Sequence, residues 1–428
     1  MRDALAVSIF VGAYVLIATE WVHRVVVALV GAGLMLLFKI VEAEDAFHSE
    51  ELGIDWNVIF LLFGMMVIVG VLRRTGFFEF LAIWSAKRAR GRPLAIMSLL
   101  VVITAVLAAL LDNVTTVLLI APVTLLIAER IGVSPVPLLI AEVFASNIGG
   151  VATLVGDPPN IIIGSAAGLS YLDFLANLGP IVAILLVVFV VQARWMFRRD
   201  LASDSDRVRE LMSLDEREAL LDGSLLPKAL AVLGVVTLAF ALQGPLGYEP
   251  SVVALLGAGV LLLIAGGDRV DYLRDVEWGT LVFFMGLFIM VGGLVKVGAV
   301  DALAERLIDL TDGRLFLATA LLLVASAVLS GLVDNIPYVA TMVPIVGALA
   351  ASIPGDTTVL WWALALGADL GGNATSIGAS ANVVVLGVAE RSGHKIPFVR
   401  FLRYGLPVTA VSIAISLAYL WLRYFALS

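Results

Sequence analysis

The strongest constraint on this sequence is that its second half repeats residues of its first half 222 positions later. The offset holds without a gap over about a hundred residues, and chance does not keep one spacing over such a length. It relates glycines, prolines and polar residues, among them Gly64 and Gly286, Asp112-Asn113 and Asp334-Asn335, Pro122 and Pro344, Gly149-Gly150 and Gly371-Gly372, Thr153 and Thr375, and Asn160 and Asn382. The chain is therefore a duplicated unit.

The composition indicates the environment in which the two halves fold. Of the 428 residues, 61% are hydrophobic and 14% are charged, and the mean hydropathy is +1.05. Soluble chains are about 45–50% apolar and about 25% charged, and a single soluble core stops growing near ~250–300 residues. The excess of apolar residues excludes a soluble or disordered protein and predicts an all-α polytopic membrane protein.

Other totals exclude further classes. The formal net charge of −8 offers no basic surface to nucleic acid. The sequence has no cysteine, and its three histidines have no metal-ligand spacing, so we expect no metal site and no cofactor. No nucleophile–base pair stands out, and we expect no enzymatic activity.

A bilayer core of about 30 Å requires roughly 20 apolar residues per helix. On that rule the sequence predicts ten spans, at residues 4–22, 24–40, 57–73, 136–165, 178–197, 227–246, 250–266, 279–296, 357–389 and 404–424. The apolar stretches 94–130 and 316–352 are each interrupted by an Asp-Asn pair, and we interpret both as re-entrant hairpins. Polar and glycine residues interrupt 136–165 and 357–389, which predicts two broken helices.

The charges orient these spans. With ten spans, 21 of the 27 lysines and arginines fall on one side, which the positive-inside rule makes cytoplasmic. Both termini then face the outside of the plasma (inner) membrane. The predicted division is a first repeat over 1–198, a cytoplasmic linker with an amphipathic helix over 199–226, and a second repeat over 227–428.

Each repeat contributes five crossings, so the second copy must lie inverted in the bilayer. Inverted repeats with paired broken helices are the architecture of secondary transporters, which hold their substrate near the midplane at the interface between the repeats.

Four polar clusters lie where the hydropathy requires apolar residues. A charge at the bilayer centre costs at least ~2.5–3.5 kcal/mol. We therefore expect the four aspartates of these clusters to be solvated, paired or protonated; they are Asp112, Asp157, Asp334 and Asp369. The candidate substrate- and ion-binding residues are Asp112, Asn113, Thr115, Thr116, Asn147, Gly149, Gly150, Thr153, Asp157, Asn160, Asp334, Asn335, Asp369, Gly371, Gly372, Asn373, Thr375, Ser376, Ser380 and Asn382. As an alternative, Asp112 and Asp334 cap the second arms of their hairpins.

The residue types in these clusters constrain the ligand. None of the clusters contains lysine or arginine, whereas a dicarboxylate or a phosphate normally requires a basic partner. Carboxylates, amides and hydroxyls suit Na⁺, a proton or a small neutral polyhydroxy solute. Glu142 is a further candidate proton carrier, and a helix–helix contact is the alternative for it.

The sequence resembles the ion transporter superfamily, in the branch of arsenite-efflux permeases (ArsB), NhaD-type sodium/proton antiporters and the melanosomal P protein. The resemblance covers roughly residues 20–425 and rests on 111–116 with Pro122, on 156–160, and on the corresponding residues around Asp334-Asn335 and Asn382. Related sodium-coupled dicarboxylate carriers have serine where this chain has aspartate at both hairpin turns, which disfavours a dicarboxylate.

The resemblance implies an elevator-type mechanism, in which the hairpins and broken helices slide against a scaffold, and a homodimer. The function it favours is export of arsenite or antimonite, as neutral trihydroxides, coupled to proton influx. Sodium/proton antiport is the alternative, and an inorganic or organic anion permease is a third. The expected partners are membrane lipid, a small inorganic solute and a coupling cation.

Overall fold

The computed structural model describes residues 2–19, 21–49, 52–201, 216–266 and 269–426, and within these ranges every regular element is helical. The first half contains helices Arg2–Ala18, Arg24–Leu37, Ala43–His48, Trp56–Arg73, Phe77–Arg88, Pro93–Leu110, Asn113–Ile131, Val136–Gly150, Pro158–Ala167 and Tyr171–Phe197. The second half contains Leu225–Ala241, Gln243–Leu246, Pro250–Ala265, Arg269–Leu273, Trp278–Lys296, Ala299–Thr311, Leu315–Leu332, Asn335–Ser352, Thr358–Gly371, Ser380–Arg391 and Phe398–Trp421.

Eight of the described helices are long and apolar enough to cross a membrane. Their 18-residue windows have mean hydropathies between 1.4 and 2.7, and four further apolar helices are shorter. The chain is a multi-pass membrane protein, as the composition predicts. Because the eight include all four hairpin arms, length alone does not distinguish a re-entrant hairpin from two spans. The ten-span topology and the orientation of the termini stay predictions.

The two hairpins turn at the Asp-Asn pairs. Hairpin 1 consists of Pro93–Leu110 and Asn113–Ile131, and hairpin 2 of Leu315–Leu332 and Asn335–Ser352. Each second arm begins with an aspartate cap, because a carboxylate oxygen accepts one of the backbone N–H groups that a helix start leaves unpaired.

Both broken helices are interrupted where the sequence predicts. Broken helix 1 consists of Val136–Gly150 and Pro158–Ala167, and broken helix 2 of Thr358–Gly371 and Ser380–Arg391. Proline favours the first position of a helix, where its missing N–H needs no partner, so Pro158 suits the restart of broken helix 1.

Three helices depart most from the predicted spans. The span predicted at 227–246 is interrupted at Leu242, since Leu225–Ala241 and Gln243–Leu246 are separate helices. The span predicted from 178 begins at Tyr171, where Ser170 and Asp173 form a capping box. The last helix begins at Phe398 rather than at 404.

Residues 202–215 of the predicted linker over 199–226 lie outside the described residues, so its amphipathic helix stays a prediction. Its described end packs against the first half. The backbone N–H of Leu221 donates to the carbonyl of Thr75 at 3.0 Å, and Lys87 pairs with Glu216.

Helices of the two halves are in direct backbone contact. A Cβ added to Gly64 would lie 2.6 Å from the carbonyl carbon of Ala254, and one added to Gly286 would lie 2.8 Å from the carbonyl carbon of Ala28. Two ion pairs also join the halves, between Arg74 and Asp275 at 2.8 Å and between Lys296 and Asp45 at 2.5 Å. Helix Trp56–Arg73 therefore packs against Pro250–Ala265, and helix Trp278–Lys296 packs against Arg24–Leu37.

We expect Gly64→Ala to lower the melting temperature of the detergent-solubilised protein. The added methyl group forces apart two helix backbones, and overpacking of this kind costs about 1–3 kcal/mol. Gly33→Ala is the matched control, because its Cβ would meet nothing within 4 Å and alanine favours a helix. Thermal unfolding followed by tryptophan fluorescence measures both. Equal melting temperatures for the two variants would contradict the close packing.

Candidate functional site

The turns of both hairpins contact one buried carboxylate. Nδ2 of Asn113, at the turn of hairpin 1, donates to Oδ2 of Asp157 at 2.5 Å. Nδ2 of Asn335, at the turn of hairpin 2, donates to the same oxygen at 3.3 Å. Asp157 lies in the break of broken helix 1, and its side chain is 1% exposed. The two asparagines that the repeat relates thus meet at a single acid.

Amide side chains extend this contact to the second carboxylate and the second break. Asn147 accepts from Asn113 at 3.2 Å and donates to Asn373 at 2.9 Å and to Asn382 at 3.1 Å. Nδ2 of Asn335 also lies 3.5 Å from Oδ1 of Asp369. The core cluster is defined as the seven residues joined in this way, Asn113, Asn147, Asp157, Asn335, Asp369, Asn373 and Asn382.

The core cluster departs from the twofold pattern of the repeat. The offset of 222 takes Asn147 to Asp369 and Asp157 to Ala379. Each half therefore supplies one carboxylate, but from a different position in its broken helix. The two acids share Asn335 as a hydrogen-bond donor instead of occupying corresponding sites.

Within the described part of the chain, neither Asp157 nor Asp369 forms an ion pair with a basic side chain. Oδ2 of Asp369 and Oδ1 of Asn113 have no hydrogen-bond partner there. Burying an uncompensated carboxylate costs several kcal/mol or more, so the charge must be neutralised. A group of carboxylate and amide oxygens can do this by binding a proton or a hard cation such as Na⁺.

In each half, one asparagine side chain holds the backbone of the break through hydrogen bonds. Nδ2 of Asn160 donates to the carbonyls of Gly150 and Thr153, both at 3.1 Å. Nδ2 of Asn382 donates to the carbonyls of Gly372 and Thr375, at 2.8 and 2.7 Å. These bonds satisfy carbonyls that a broken helix leaves free.

The two threonines attach the breaks to the hairpins. Oγ1 of Thr153 donates to the carbonyl of Ala109 at 2.5 Å, and Oγ1 of Thr375 donates to that of Gly331 at 2.6 Å. The predicted glycines allow close approach of backbones: a Cβ added to Gly149 or Gly371 would meet the hairpin backbone at Ala105 or Ala327, and one added to Gly150 or Gly372 would meet the opposite side of its own break. Their role in binding stays a prediction.

The aspartates at the hairpin turns act as helix caps. Oδ1 of Asp112 accepts from the backbone N–H of Thr115 at 2.7 Å, and Oδ1 of Asp334 accepts from that of Ile336 at 3.0 Å. The capping that the sequence offered as an alternative is therefore observed, and a binding role for the two aspartates stays a prediction. The remaining predicted residues lie nearby: Thr116 is buried with its hydroxyl unpartnered among the described residues, and Ser376 is buried in the second break.

The polar clusters contain no basic residue in the sequence, but a basic side chain from another helix reaches one of them in the structure. Nη1 of Arg24 donates to Oγ of Ser380 at 2.7 Å and lies 3.4 Å from Oδ2 of Asp334. Ser380 in turn donates to Asp334 at 2.5 Å. Arg24 is 310 residues from Asp334 in the sequence. No local pattern could have revealed the contact, because Arg24 stands alone at the start of an apolar helix.

Arg24 lines a cavity beside the hairpin turns. The polar and charged residues of its wall are Arg24, Asp112, Glu277, Thr280 and Ser380. Glu277 and Thr280 lie at the start of helix Trp278–Lys296 and were also absent from the predicted site. The wall includes Met65 of helix Trp56–Arg73, so the cavity lies between that helix, the hairpin turns and the breaks.

Comparison with known proteins assigns the family. Residues 14–367 match the citrate transporter family. This chain belongs to the citrate transporter family. An uncharacterized transporter of Mycobacterium tuberculosis is 56% identical over 427 residues, 99% of each chain, and the 46 kDa membrane protein of Mycobacterium leprae is 54% identical over 428 residues, 100% of each. The P protein of Homo sapiens is 35% identical over 504 positions, covering 97% of this chain and 59% of the P protein.

The citrate transporter family assignment confirms the predicted class of membrane transporter. The descriptions of these relatives name neither arsenite nor a coupling ion. The ArsB-type resemblance therefore gains no specific support, and the substrate and the coupling ion stay predictions.

We expect Asn160→Ala and Asn382→Ala to lower the melting temperature to a similar extent. Each substitution removes the amide donor from the carbonyl of Gly150 or Gly372 and leaves the carbonyl of Thr153 or Thr375 with only a long 3.4 Å bond from a backbone N–H. An unsatisfied buried group costs about 1–3 kcal/mol. Ser352→Ala is the control, since this exposed hydroxyl bonds only within its own helix, to the carbonyl of Ala348. If either asparagine variant had the same melting temperature as the control, its amide would not stabilise the break.

Proposed function

We propose that this chain is a secondary active transporter that carries a small anionic solute together with a coupling cation, Na⁺ or a proton. The observation that carries the proposal is the convergence of Asn113 and Asn335 on Asp157, with Asp369 beside it and no basic partner for either acid in the described part of the chain. Such a site gains or loses a cation as its surroundings change, which is what coupling requires.

The mechanism we propose is of the elevator type, built on an inverted repeat. The hairpin turns and both breaks form one hydrogen-bonded body, whereas helices Arg24–Leu37, Trp56–Arg73, Pro250–Ala265 and Trp278–Lys296 pack against one another. Hairpins that enter from opposite faces and meet at Asp157 need not cross the membrane, which favours re-entry. The cavity at Arg24 lies on the boundary between these two bodies, where sliding would open and close it.

Among the described residues of the cavity wall, which also includes the acids Asp112 and Glu277, Arg24 is the basic group that supports an anion as the solute. Arg24 supplies the guanidinium that the polar clusters lack, and an arginine fork binds carboxylates well. Its contact with Asp334 would have to open to admit the solute, so the salt bridge would exchange one carboxylate for another. The description of the family as citrate transporters makes citrate the first probe.

Export of arsenite or antimonite coupled to proton influx is the second candidate, and sodium/proton antiport is the third. Asp157 and Asp369 could bind the coupling cation in each case. The argument for a neutral trihydroxide depended on the absence of arginine from the site, and the contacts of Arg24 remove that argument.

We further propose that the chain lies in the plasma (inner) membrane with both termini outside and functions as a homodimer. The orientation rests on the 21 basic residues that the ten-span topology assigns to the cytoplasmic side. The dimer rests on the resemblance to the superfamily alone.

A thermal-shift experiment tests the cation site. If the cation is Na⁺, we expect NaCl to raise the melting temperature relative to N-methylglucamine chloride at equal ionic strength. If it is a proton, we expect a lower pH to raise the melting temperature. In both cases a ligand that binds only the folded state stabilises it. Asp157→Asn should remove this shift while keeping an oxygen that accepts from Asn113. Asp309→Asn, on an exposed helix face, should retain it. A shift that persists in Asp157→Asn would exclude Asp157 from the cation site.

A flux experiment tests the solute. Proteoliposomes containing the purified protein, with a pH-reporting dye inside, receive citrate, arsenite, antimonite or Na⁺ in separate runs. Cation-dependent uptake of radiolabelled citrate, absent in Asp157→Asn, is the expected result. Proton movement on arsenite without citrate uptake would replace the proposal by metalloid export, and movement on Na⁺ alone would replace it by cation antiport.

Arg24 gives a sharper test of the anion. We expect Arg24→Gln to raise the KM for citrate about tenfold or more, since hydrogen bonds to a charged group contribute about 1.5–3 kcal/mol. Arg24→Lys should recover part of this loss, because lysine keeps the charge but not the fork. Arg306→Gln removes an exposed arginine and is the control. An unchanged KM in Arg24→Gln would show that the anion does not bind at Arg24.

A further inference from the structure

A third buried acid lies outside the core cluster. Glu142, in the first helix of broken helix 1, is 2% exposed. Oγ1 of Thr124, on the second arm of hairpin 1, donates to Oε1 of Glu142 at 2.5 Å. Oε2 of Glu142 has no hydrogen-bond partner within the described residues. The carboxyl group is therefore enclosed between two helices with one of its oxygens unused.

No cation compensates this acid in the described part of the chain. The helices packed against Val136–Gly150 carry their titratable residues near their ends or in the core cluster: Glu129 and Arg130, Tyr171, Asp173 and Arg194, Asp369, and Glu390 and Arg391. None of these forms an ion pair with Glu142. A carboxylate buried without a cation is strongly disfavoured, so the neutral acid is the form that fits this enclosure.

The fold itself does not require an acid at this helix contact. The offset of 222 takes Glu142 to Leu364 and Thr124 to Val346, and both of these residues are fully buried. In the second half, where the corresponding hairpin arm and broken helix also pack together, both corresponding positions therefore hold apolar side chains. The acid–hydroxyl pair is a special feature of the first half.

Helix geometry relates this pair to the core cluster. Thr124 follows Asn113 by eleven residues, which is three turns at 3.6 residues per turn, so both lie on one face of the arm. Thr116 lies between them close to that face, with its buried hydroxyl unpartnered among the described residues. The arm that brings Asn113 to Asp157 thus also brings Thr124 to Glu142, and movement of this arm would change both contacts.

We infer that Glu142 is a second cation site of this transporter and that its ligand is a proton, taken from water and returned to water as the Thr124 contact closes and opens. The inference rests on the proposed function, because it assigns a residue to proton coupling. Only an acid–base exchange is involved: the carboxylate takes a proton from hydronium as the arm closes over it, and the acid returns the proton to water when the arm moves away.

Infrared difference spectroscopy tests the proton site without a substrate. The carbonyl band of a protonated carboxylic acid should be present in the purified wild-type protein at neutral pH and lose intensity in Glu142→Gln. The double variant Glu142→Leu with Thr124→Val, which introduces the residues of the second half, should lose the same intensity and keep the fold. Leu364→Met, a conservative change at the corresponding position, is the control. A band identical in all four proteins would overturn the inference.

Transport separates a coupling role from a structural one. In proteoliposomes, citrate uptake driven by a pH gradient is compared with citrate exchange at equal pH. We expect the ratio of driven uptake to exchange to collapse in Glu142→Gln and in the double variant. A ratio equal to that of the wild type would overturn the inference. If the wild-type protein does not exchange citrate at all, the proposed function fails, and the infrared band alone decides whether Glu142 holds a proton.

Discussion

The structure depends on the burial of acids that no basic side chain compensates in the described part of the chain. Asp157 and Asp369 lie where the two hairpin turns meet, and their charge can be held there only by hydrogen-bond donors and an exchangeable cation. The asparagine amides, the braced breaks and the aspartate caps at the hairpin turns all serve this arrangement. They satisfy the backbone of the interrupted helices. Oδ2 of Asp369 and Oδ1 of Asn113 remain without a hydrogen-bond partner among the described residues.

Much of this arrangement could be predicted from the sequence. The hairpins predicted at 94–130 and 316–352 begin and end within one residue of the observed helices, because proline, glycine and Asp-Asn pairs punctuate an otherwise apolar pattern. The repeat located Asn160, Asn382, Thr153 and Thr375, which do the same work in both halves. Arg24 could not be predicted, since its contact with Asp334 exists only in three dimensions. Whether an aspartate caps a helix or faces a ligand likewise depends on packing, and Asp112 could not be told from Asp157.

The differences between the halves carry as much information as their likeness. Where side chains support the backbone, the offset of 222 preserves them. It does not preserve the three acids that are buried without a basic partner in the described part of the chain: Asp157 corresponds to Ala379, Asp369 to Asn147, and Glu142 to Leu364. A duplicated scaffold allows this, because one copy can keep an apolar contact while the other acquires an acid. The place of each acid is thus independent of the symmetry that builds the fold, and the citrate transporter family assignment describes the scaffold rather than the solute.

The glycine contacts between the halves bear on how the chain is made. The face of helix Trp56–Arg73 that contains Gly64 is covered by the backbone around Ala254, which the ribosome adds 190 residues later. Until then, a helix shaped for close backbone contact stands in the membrane without its counterpart. The backbone contact at Gly64 can therefore form only after the second half has been synthesised, so the first half cannot complete its own packing.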